Sequence, residues 1–497
     1  MNTNRTTFQY CLRLLDLGSR RCRAMANLVM SLSSSPTVSS VVELTNSLCY
    51  YYTYSNITKV LSYWDCDAKT LQSFLLSYLL PHRQLSNGKT YHALTHDFTS
   101  LPKPSSPTLE ERGFLLTNNP VAGKLGLTSG YTLSCLHYSS GLMGHCPPLS
   151  IIRLDGADDK LPVAVKQIKS TIAASVFKDS DHLTLLRTDS YYGCAAFLSP
   201  LYECDNLLVV SRLRVGIKVW VPYDGVQKGK RKRRYGACHY LMEQTRTKET
   251  KVPKTKEVRT ITQHAITTLP PHEVRQMETT MDNGRAVVIT TTRWCDLLLR
   301  SKGTAKMQDK PFDVLRVEIR DAKTKSLVFK RPMYLTVFGK RKEQMPTQDV
   351  QPQYRERYDV EPAYRFAKQK LLLCALQTPD LTHLDRWIKI VLLSWWLLFA
   401  FAQEDNPVTC EAWQKHMPKN KAKGQNQKLT IAQAQRTAKI IFPTFDKTRF
   451  LPQSTNNGKG RLKGTTFEKR KRHKPKKKAA FKAEKAEKQS QQLPNTS

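Results

Sequence analysis

Four residues late in the chain have types and spacing that suit the cutting of a nucleic-acid backbone. They follow the pattern Y-x2-R-x3-E-x6-K and are Tyr354, Arg357, Glu361 and Lys368. On an uninterrupted α-helix, all four side chains would project within an arc of about 60°. Such a face would present a carboxylate to a metal ion and cations to phosphate groups. The spacing therefore indicates phosphodiester chemistry.

Two further acids stand where such chemistry would need them. Phosphodiester cleavage without a covalent enzyme intermediate needs an activated water and a stabilised leaving oxygen, and two Mg²⁺ ions about 3.5–4 Å apart supply both. Asp97 comes after a predicted strand at residues 91–95, and Asp189 comes after another at residues 182–187. With Glu361 on a helix, these acids make a sufficient set of oxygen ligands for Mg²⁺.

The overall composition suits a polyanionic partner. The 497 residues include 79 Lys and Arg against 41 Asp and Glu, which gives a formal net charge of +38. This excess favours a nucleic acid or an anionic membrane surface as partner. The 12 cysteines are scattered without a C-x2-C pair, which indicates reduced thiols in a cytosolic protein. The length predicts about two to four domains.

Several classes of protein are disfavoured by what the sequence lacks. The strongest apolar run, residues 390–402, is shorter than the roughly 20 residues that span a bilayer, so a buried helix is the better interpretation. The N-terminus has early arginines and no apolar run before a cleavage site, which argues against a signal peptide. No P-loop and no dinucleotide-binding glycine fingerprint occurs.

Changes in composition and in apolar periodicity along the chain predict five regions. Their predicted structures are short helices at 1–88, strands and a helix at 89–204, a β-rich region at 205–345, two helices at 346–412, and a basic, largely disordered region at 413–497. Between Lys459 and Lys488 there are 14 Lys and Arg and 3 Glu. Such a block cannot bury enough apolar surface to offset its loss of conformational entropy.

Three motifs resemble a known family. Residues 94–104 (LTHDFTSLPKP) with 108–113 (TLEERG), residues 187–193 (RTDSYYG), and residues 354–371 (YRERYDVEPAYRFAKQKL) occur in this order. They are similar to the first-Asp, second-Asp and Glu motifs of insertion-sequence transposases of the DDE class, in the subgroup with the YREK signature. Arg212-Leu213-Arg214 also matches, and the similarity runs from about residue 90 to about residue 460.

This resemblance implies an α/β fold with an RNase H-like core, a mixed sheet flanked by helices. A β-rich insertion would precede the catalytic Glu, with a helical N-terminal region and a disordered basic tail. It implies metal-dependent nicking of transposon ends, followed by attack of the freed 3′-hydroxyl on target DNA. Asp97, Asp189 and Glu361 would be the catalytic metal ligands for two Mg²⁺ ions, for which Mn²⁺ can substitute. A homodimer paired on double-stranded DNA, in the cytoplasm and on chromosomal DNA, is the implied working form.

Contacts to DNA are expected from a second group of side chains. By resemblance or by charge they are Tyr354, Arg357, Lys368, Arg212, Arg214, and Lys230, Arg231 and Arg233 of the basic loop at 228–234. Two departures from the family pattern stand out. Phe98 follows Asp97 where relatives often have a small hydroxyl residue. Pro362 follows Glu361, so the helix either begins near Glu361 or is kinked there.

Alternative interpretations remain open at this stage. The chain could be a DNA-binding protein that keeps the scaffold without catalysis, a basic RNA-binding protein or, more distantly, a membrane-surface protein. The acidic run Asp155, Asp158 and Asp159 is interpreted as a hairpin turn. Trp294 is expected in the core rather than stacked on an unpaired base. Two cysteines and two histidines between residues 135 and 146 do not have the spacing of a structural zinc site. They are Cys135, His137, His145 and Cys146.

Overall fold

The computed structural model describes most of the chain. The described residues are 5–116, 126–141, 145–179, 181–226, 233–251, 258–281, 283–301, 305–404, 429–444 and 469–491. They confirm a mixed α/β protein with a large mixed sheet flanked by helices.

Helices occupy both ends of the chain and separate some of its strands. In chain order they are α1 (Arg5–Leu14), α2 (Cys22–Ser33), α3 (Tyr54–Tyr63), α4 (Ala68–Leu76), α5 (Lys160–Ile172), α6 (Ala195–Leu201), α7 (Thr347–Arg355), α8 (Val360–Gln369), α9 (Leu381–Gln403), α10 (Ile431–Ile441) and α11 (Lys478–Gln491). Within residues 1–88, expected to form short helices, the described part contains α1 to α4 and a two-residue strand at Arg83–Gln84.

Strands fill the middle of the chain. They are β1 (Arg83–Gln84), β2 (Thr90–Pro102), β3 (Gly113–Leu116), β4 (Leu127–Tyr138), β5 (Pro148–Arg153), β6 (His182–Thr188), β7 (Leu207–Leu213), β8 (Lys218–Pro222), β9 (Tyr235–Tyr240), β10 (Arg246–Lys251), β11 (Val258–Gln263), β12 (Glu273–Thr280), β13 (Ala286–Leu297), β14 (Phe312–Asp321) and β15 (Met333–Phe338). The predicted strands at 91–95 and 182–187 overlap β2 and β6.

The chain divides into two compact units. The first consists of Met1–Leu80, Phe98–Lys160 and Tyr358–Ser497, and the second of Pro81–Asp97 and Leu161–Arg357. The division therefore falls inside β2, directly after Asp97, and again directly after Arg357.

The first unit is built around α9. The helices α1, α2, α3 and α10 all pack against it. They can do so because its apolar side chains lie on all sides of the helix, which is typical of a buried helix. Its start is capped by the Asp380 carboxylate, which accepts hydrogen bonds from the backbone N–H groups of Thr382 and His383. The expected buried helix in this region is confirmed. Within the described ranges, no helix is both long and apolar enough to cross a bilayer.

The second unit is built on one mixed sheet. Its strand order is β12-β13-β14-β15-β7-β6-β2, in which β6 runs parallel to β2 and to β7 and the other neighbours are antiparallel. The strands predicted as a β-rich region at 205–345 thus extend the sheet that begins with β2 and β6. Two separate antiparallel ribbons, β8-β9 and β10-β11, also come from this region.

One face of this sheet is closed by α7. The buried core on that side includes Tyr91 and Ala93 of β2, Leu185 of β6, and Val350 and Tyr354 of α7. Alternate residues of a strand point to the same face, so the odd-numbered positions of β2 and β6 face α7. Each large apolar side chain buried there contributes about 1.5–3 kcal/mol.

The helical interpretation of residues 354–368 needs correction. Tyr354 ends in α7, Arg357 lies in a 3-10 turn (Glu356–Asp359), and Glu361 is in the first turn of α8. The expected single arc on an uninterrupted helix is therefore wrong. Of the two possibilities that Pro362 left open, the helix starts near Glu361, since α8 begins at Val360 with Asp359 as its N-cap.

Two other expectations are corrected by the fold. Asp97 does not follow a strand but lies inside β2, which continues to Pro102. The residues Asp155, Asp158 and Asp159 lie in the connection from β5 to α5, not in a hairpin. In the region 413–497, expected to be largely disordered, the described residues 429–444 and 469–491 contain α10 and α11. The rest of that region lies outside the described residues.

Candidate active site

Asp97 and Asp189 lie at corresponding positions of two neighbouring parallel strands. In the ladder between β2 and β6, Thr95 pairs with Arg187. Asp97 and Asp189 each come two residues beyond this pair, Asp97 within β2 and Asp189 directly after β6. Both acids thus lie just past the last paired residues of this parallel ladder, on the side where α/β sheets commonly place ligand-binding groups. The second unit thus brings together two of the three predicted acids.

Both acids occupy odd-numbered positions, which place them in line with the side of the sheet that α7 covers. Asp97 retains 24% side-chain exposure and is half-buried. Asp189 is held by local bonds: its carboxylate accepts the N–H of Tyr191 at 2.8 Å, and its carbonyl accepts the Ser211 hydroxyl at 2.9 Å. The Asp189 side chain therefore helps to shape the turn that follows β6 as well as offering carboxylate oxygens.

Arg357 and Tyr354 reach this region from the end of α7. The Arg357 guanidinium Nη1 lies 3.9 Å from the Asp97 carboxylate Oδ2. Tyr354 is only 1% exposed, and its ring packs in the core that includes Tyr91 and Leu185. The Arg357 guanidinium lies 5.6 Å from the centre of the Tyr354 ring. In this conformation Tyr354 serves as packing under Arg357, and direct phosphate contact by its hydroxyl stays a prediction.

A buried arginine holds the segment that carries Arg357. Arg187 has no exposed side-chain surface, and its Nη1 donates to the Glu356 carboxylate at 2.7 Å and to the Gln353 carbonyl at 3.1 Å. Arg83 makes a two-pronged contact to the same carboxylate, with both distances 2.7 Å. Burial by itself raises the pKa of Glu356, but its pairs with Arg83 and Arg187 outweigh burial and lower that pKa.

Arg187 is the first residue of the motif RTDSYYG at residues 187–193, but the sequence did not indicate its structural role. An arginine two residues before an acid looks like a solvated cation in a sequence. Its partner Glu356 is 169 residues away, so no local spacing could have indicated the pair.

The opposite face of β2 links the two Asp motifs. His96, next to Asp97, is fully buried, and its Nδ1 lies 2.8 Å from the hydroxyl of Tyr192. Its Nε2 lies 3.2 Å from the side-chain oxygen of Gln167 on α5. Tyr192 belongs to the turn that follows Asp189. The contact between His96 and Tyr192 fixes the turn after β6 against β2. In the sequence, only the position of His96 next to Asp97 indicated that His96 could have a role near the site.

Arg212 lies beside Asp189 on the next strand. In the ladder between β6 and β7, Thr188 pairs with Ser211, so Arg212 is the β7 position next to Asp189. Its side chain is exposed. The backbone approaches closely here, because a Cβ added to Gly193 would lie 2.7 Å from the Arg212 carbonyl oxygen. This explains the glycine that ends the RTDSYYG motif.

Glu361 and Lys368 lie in the first unit, both on α8. Glu361 is exposed in the first turn of the helix, where a negative charge suits the helix dipole. Lys368 is in the last turn, and its Nζ donates to the hydroxyl of Ser100 at 3.3 Å. Burial lowers the pKa of Lys368. The helix is continuous between the two residues, as their expected common face requires.

The remaining predicted cations have mixed placements. Arg214 is exposed just after β7. Arg233 is exposed, with its guanidinium 4.5 Å from the centre of the Tyr223 ring. Lys230 and Arg231 lie outside the described residues. Trp294 is 2% exposed and donates its indole N–H to the Leu269 carbonyl at 3.1 Å, as expected for core packing.

Over the described ranges, no three or more His, Cys, Asp or Glu side chains are placed to hold a metal ion together. The structure assigns Asp97 and Asp189 to the second unit and Glu361 to the first. No two of the eleven described cysteines form a disulfide with each other.

Comparison with known proteins adds no identification. No protein-family model matches the chain, and no curated protein is significantly similar to it.

Proposed function

We propose that the chain is a DNA transposase of the DDE class, with an RNase H-like catalytic core. It would nick DNA at the ends of a mobile element by metal-dependent hydrolysis and join the freed 3′-hydroxyl to target DNA by transesterification. The observation that supports this best is the register of β2 and β6, which puts Asp97 and Asp189 at matching positions of adjacent parallel strands.

The chemistry of the donors fits the metal that the proposal requires. Carboxylate oxygens are the ligands that Mg²⁺ prefers, and a site that uses few protein ligands leaves positions for water and phosphate. Asp97, Asp189 and Glu361 would hold the ions. When bound, paired Mg²⁺ ions activate the attacking water and stabilise the leaving oxygen.

The chain's own cations would position the DNA. Arg357, which lies beside Asp97, and Arg212, next to Asp189, would meet a phosphate that approaches the two carboxylates. A guanidinium binds phosphate through two parallel hydrogen bonds, which orients the group as well as neutralising it. Lys368 would contribute a further phosphate contact. Two copies of the chain would act on a pair of DNA ends.

A nicking assay tests the proposal. Labelled duplexes that carry candidate element ends would be incubated with the protein and Mg²⁺, beside the variants Asp189→Asn and Glu361→Gln. Both variants should bind the duplex as the parent does and should nick no faster than buffer, because each has lost one anionic oxygen ligand. The matched control is Glu343→Gln, which removes an exposed acid of the second unit and should nick at the parental rate.

The outcomes separate the alternatives. Equal nicking by the parent, Asp189→Asn and Glu361→Gln would refute the assignment of these acids. Duplex binding without nicking by any form would indicate a DNA-binding protein that lacks catalysis. Tighter binding to single-stranded RNA than to duplex DNA, again without nicking, would indicate an RNA-binding protein.

A further inference from the structure

The basic C-terminal segment makes specific contacts with an acidic turn of the same unit. We call residues 469–488 the basic segment and residues 155–159 the acidic loop. The basic segment has 11 Lys and Arg against 2 Glu, and the acidic loop has 3 Asp. Considered alone, a segment of this composition would be expected to stay disordered.

Three lysines of α11 bind the acidic loop. Lys478 donates to the Asp159 carboxylate at 2.6 Å, and Lys482 donates to its second oxygen at 2.9 Å. Lys485 donates to the Asp155 carboxylate at 3.0 Å. Lys478, Lys482 and Lys485 are spaced by four and three residues, so they lie on one face of the helix. Hydrogen bonds from Lys478 and Lys482 lower the pKa of Asp159 to about 2.

An apolar contact sets the position of this helix. Phe481, on the same helix, is 9% exposed, and its ring covers Gly156 of the acidic loop. A Cβ built on Gly156 would lie 2.2 Å from the Phe481 ring, so only glycine allows this approach. Charge attraction alone would not need such a fit. The contact therefore defines a particular docked position.

Backbone bonds attach the residues before α11. The His473 N–H donates to the Pro107 carbonyl at 2.8 Å, and Arg112 Nη2 donates to the His473 carbonyl at 2.7 Å. The Lys476 N–H donates to the Arg112 carbonyl at 3.0 Å. Arg112 is 4% exposed, so the basic segment is tied to a buried side chain as well as to the acidic loop.

The docked lysines have the chemistry of phosphate contacts. A lysine that binds a DNA phosphate releases a condensed counterion, and this release supplies much of non-specific affinity. Lys478, Lys482 and Lys485 are instead paired with the carboxylates of Asp155 and Asp159. A DNA backbone that takes these lysines must displace the two carboxylates, and that exchange yields less net counterion release.

We propose that the acidic loop is a docking surface for the basic segment and that the phosphate backbone of duplex DNA competes with it for Lys478, Lys482 and Lys485. The basic segment can then use all of its lysines to bind DNA only when it leaves the acidic loop. This rests on the DNA-binding part of the proposed function and not on cleavage.

The test is the salt dependence of binding to a labelled duplex of arbitrary sequence. The variant Asp155→Asn/Asp159→Asn keeps side-chain oxygens for the local turn but removes the charges that hold the lysines. It should bind at least about threefold more tightly at low salt. The slope of log affinity against log salt should become more negative by about 2, since the loss of two carboxylates leaves two more lysine charges to release counterions.

A matched control removes the same charge elsewhere. Glu203 and Asp205 are exposed and pair with Lys169 and Lys340. The variant Glu203→Gln/Asp205→Asn has the same net charge as the acidic-loop variant, so any gain from global charge appears in both. The proposal is refuted if the two variants gain equal affinity or if neither gains any.

A charge-neutral substitution gives an independent check. Gly156→Ala inserts a methyl group where the Phe481 ring lies and should displace α11 without altering any charge. It should reproduce the tighter, more salt-dependent binding. Adding Lys478→Gln, Lys482→Gln and Lys485→Gln should cancel the gain in both variants. A gain that survives these changes would show that the lysines are not the competing groups, and parental binding by Gly156→Ala would overturn the docked geometry.

These results differ from a failure of the proposed catalysis. Absence of nicking leaves the salt-dependent competition intact, whereas unchanged salt slopes in the acidic-loop variants overturn the competition whether or not the protein nicks DNA.

Discussion

Arg357 lies beside Asp97, with 3.9 Å between Nη1 of the guanidinium and Oδ2 of the carboxylate. A cation so close to a carboxylate opposes the binding of a second cation there. Arg357→Gln should therefore lower the half-saturating Mg²⁺ concentration for nicking by about tenfold, the effect of about 1.4 kcal/mol between a unit charge and a divalent ion several ångströms apart in a water-like medium.

The same substitution should lower the maximal nicking rate, because the phosphate loses its guanidinium partner. Mg²⁺ titrations of the nicking rate would separate the two effects. Arg355→Gln, an exposed arginine two residues earlier, is the matched control and should alter neither quantity. An unchanged Mg²⁺ requirement in Arg357→Gln would remove Arg357 from the metal-binding region.

Arg187→Met should destabilise the protein by about 3 kcal/mol. The substitution leaves the partly buried Glu356 with Arg83 alone and leaves the Gln353 carbonyl without its donor. Arg187→Lys keeps the charge but not the geometry, so its loss should be smaller. The free energy of unfolding from urea titration is the measurement. Arg212→Met, on an exposed arginine, should cost less than about 0.5 kcal/mol. Similar losses for Arg187→Met and Arg212→Met would contradict a structural role for the buried pair.

Gly193→Ala should disturb the turn that follows Asp189. The new Cβ would lie 2.7 Å from the Arg212 carbonyl oxygen and 2.9 Å from Leu213 Cδ2, so backbone must move. Crowding of this kind costs about 1–3 kcal/mol. Nicking should fall because Asp189 moves with the turn. Thermal unfolding and nicking rates would be compared with those of Ser190→Ala, which lies in the same turn. Parental stability of Gly193→Ala would show that the close approach is not needed.

His92 should make stability depend on pH. It is 4% exposed and lies against His82, with ring centres 4.1 Å apart, while His82 stacks on His182. Burial, then repulsion from His82 and His182, lowers the pKa of His92 to about 4. In the unfolded chain His92 takes up a proton near pH 6.5, but in the folded chain only near pH 4. The contribution of neutral His92 to the free energy of unfolding is therefore complete above pH 6.5 and is lost as the pH falls towards 4.

Because of His92, the free energy of unfolding should fall by about 2–3 kcal/mol between pH 6.5 and pH 4.5. The charged and titratable groups around the stack are His82, His182 and Asp179. Urea titrations at several pH values should show a flatter dependence in His92→Phe, because the aromatic ring remains but cannot be protonated. His264→Gln, on an exposed histidine, should keep the parental dependence. The prediction fails if His92→Phe and the parent lose the same stability on acidification.

Local patterns were sufficient for much of the secondary structure. The short apolar runs at 91–95 and 182–187 predicted strands that the structure shows as parts of β2 and β6. The apolar run at 390–402 predicted a buried helix, which α9 confirms. These predictions succeed because strand and helix periodicity depend on neighbouring residues only. The break between α7 and α8 was missed in part, because the residue spacing there also fits one continuous helix.

The acid types and their positions after apolar runs were readable from the sequence, since both depend on residues close together in the chain. Tertiary structure alone decided that β2 and β6 are parallel neighbours with Thr95 opposite Arg187, and this register aligns Asp97 with Asp189. It also decided that Arg187 is buried against a glutamate 169 residues away and that Lys478 docks on Asp159, 319 residues away. Such pairings depend on burial and close packing between distant segments, which a local pattern of residues does not encode.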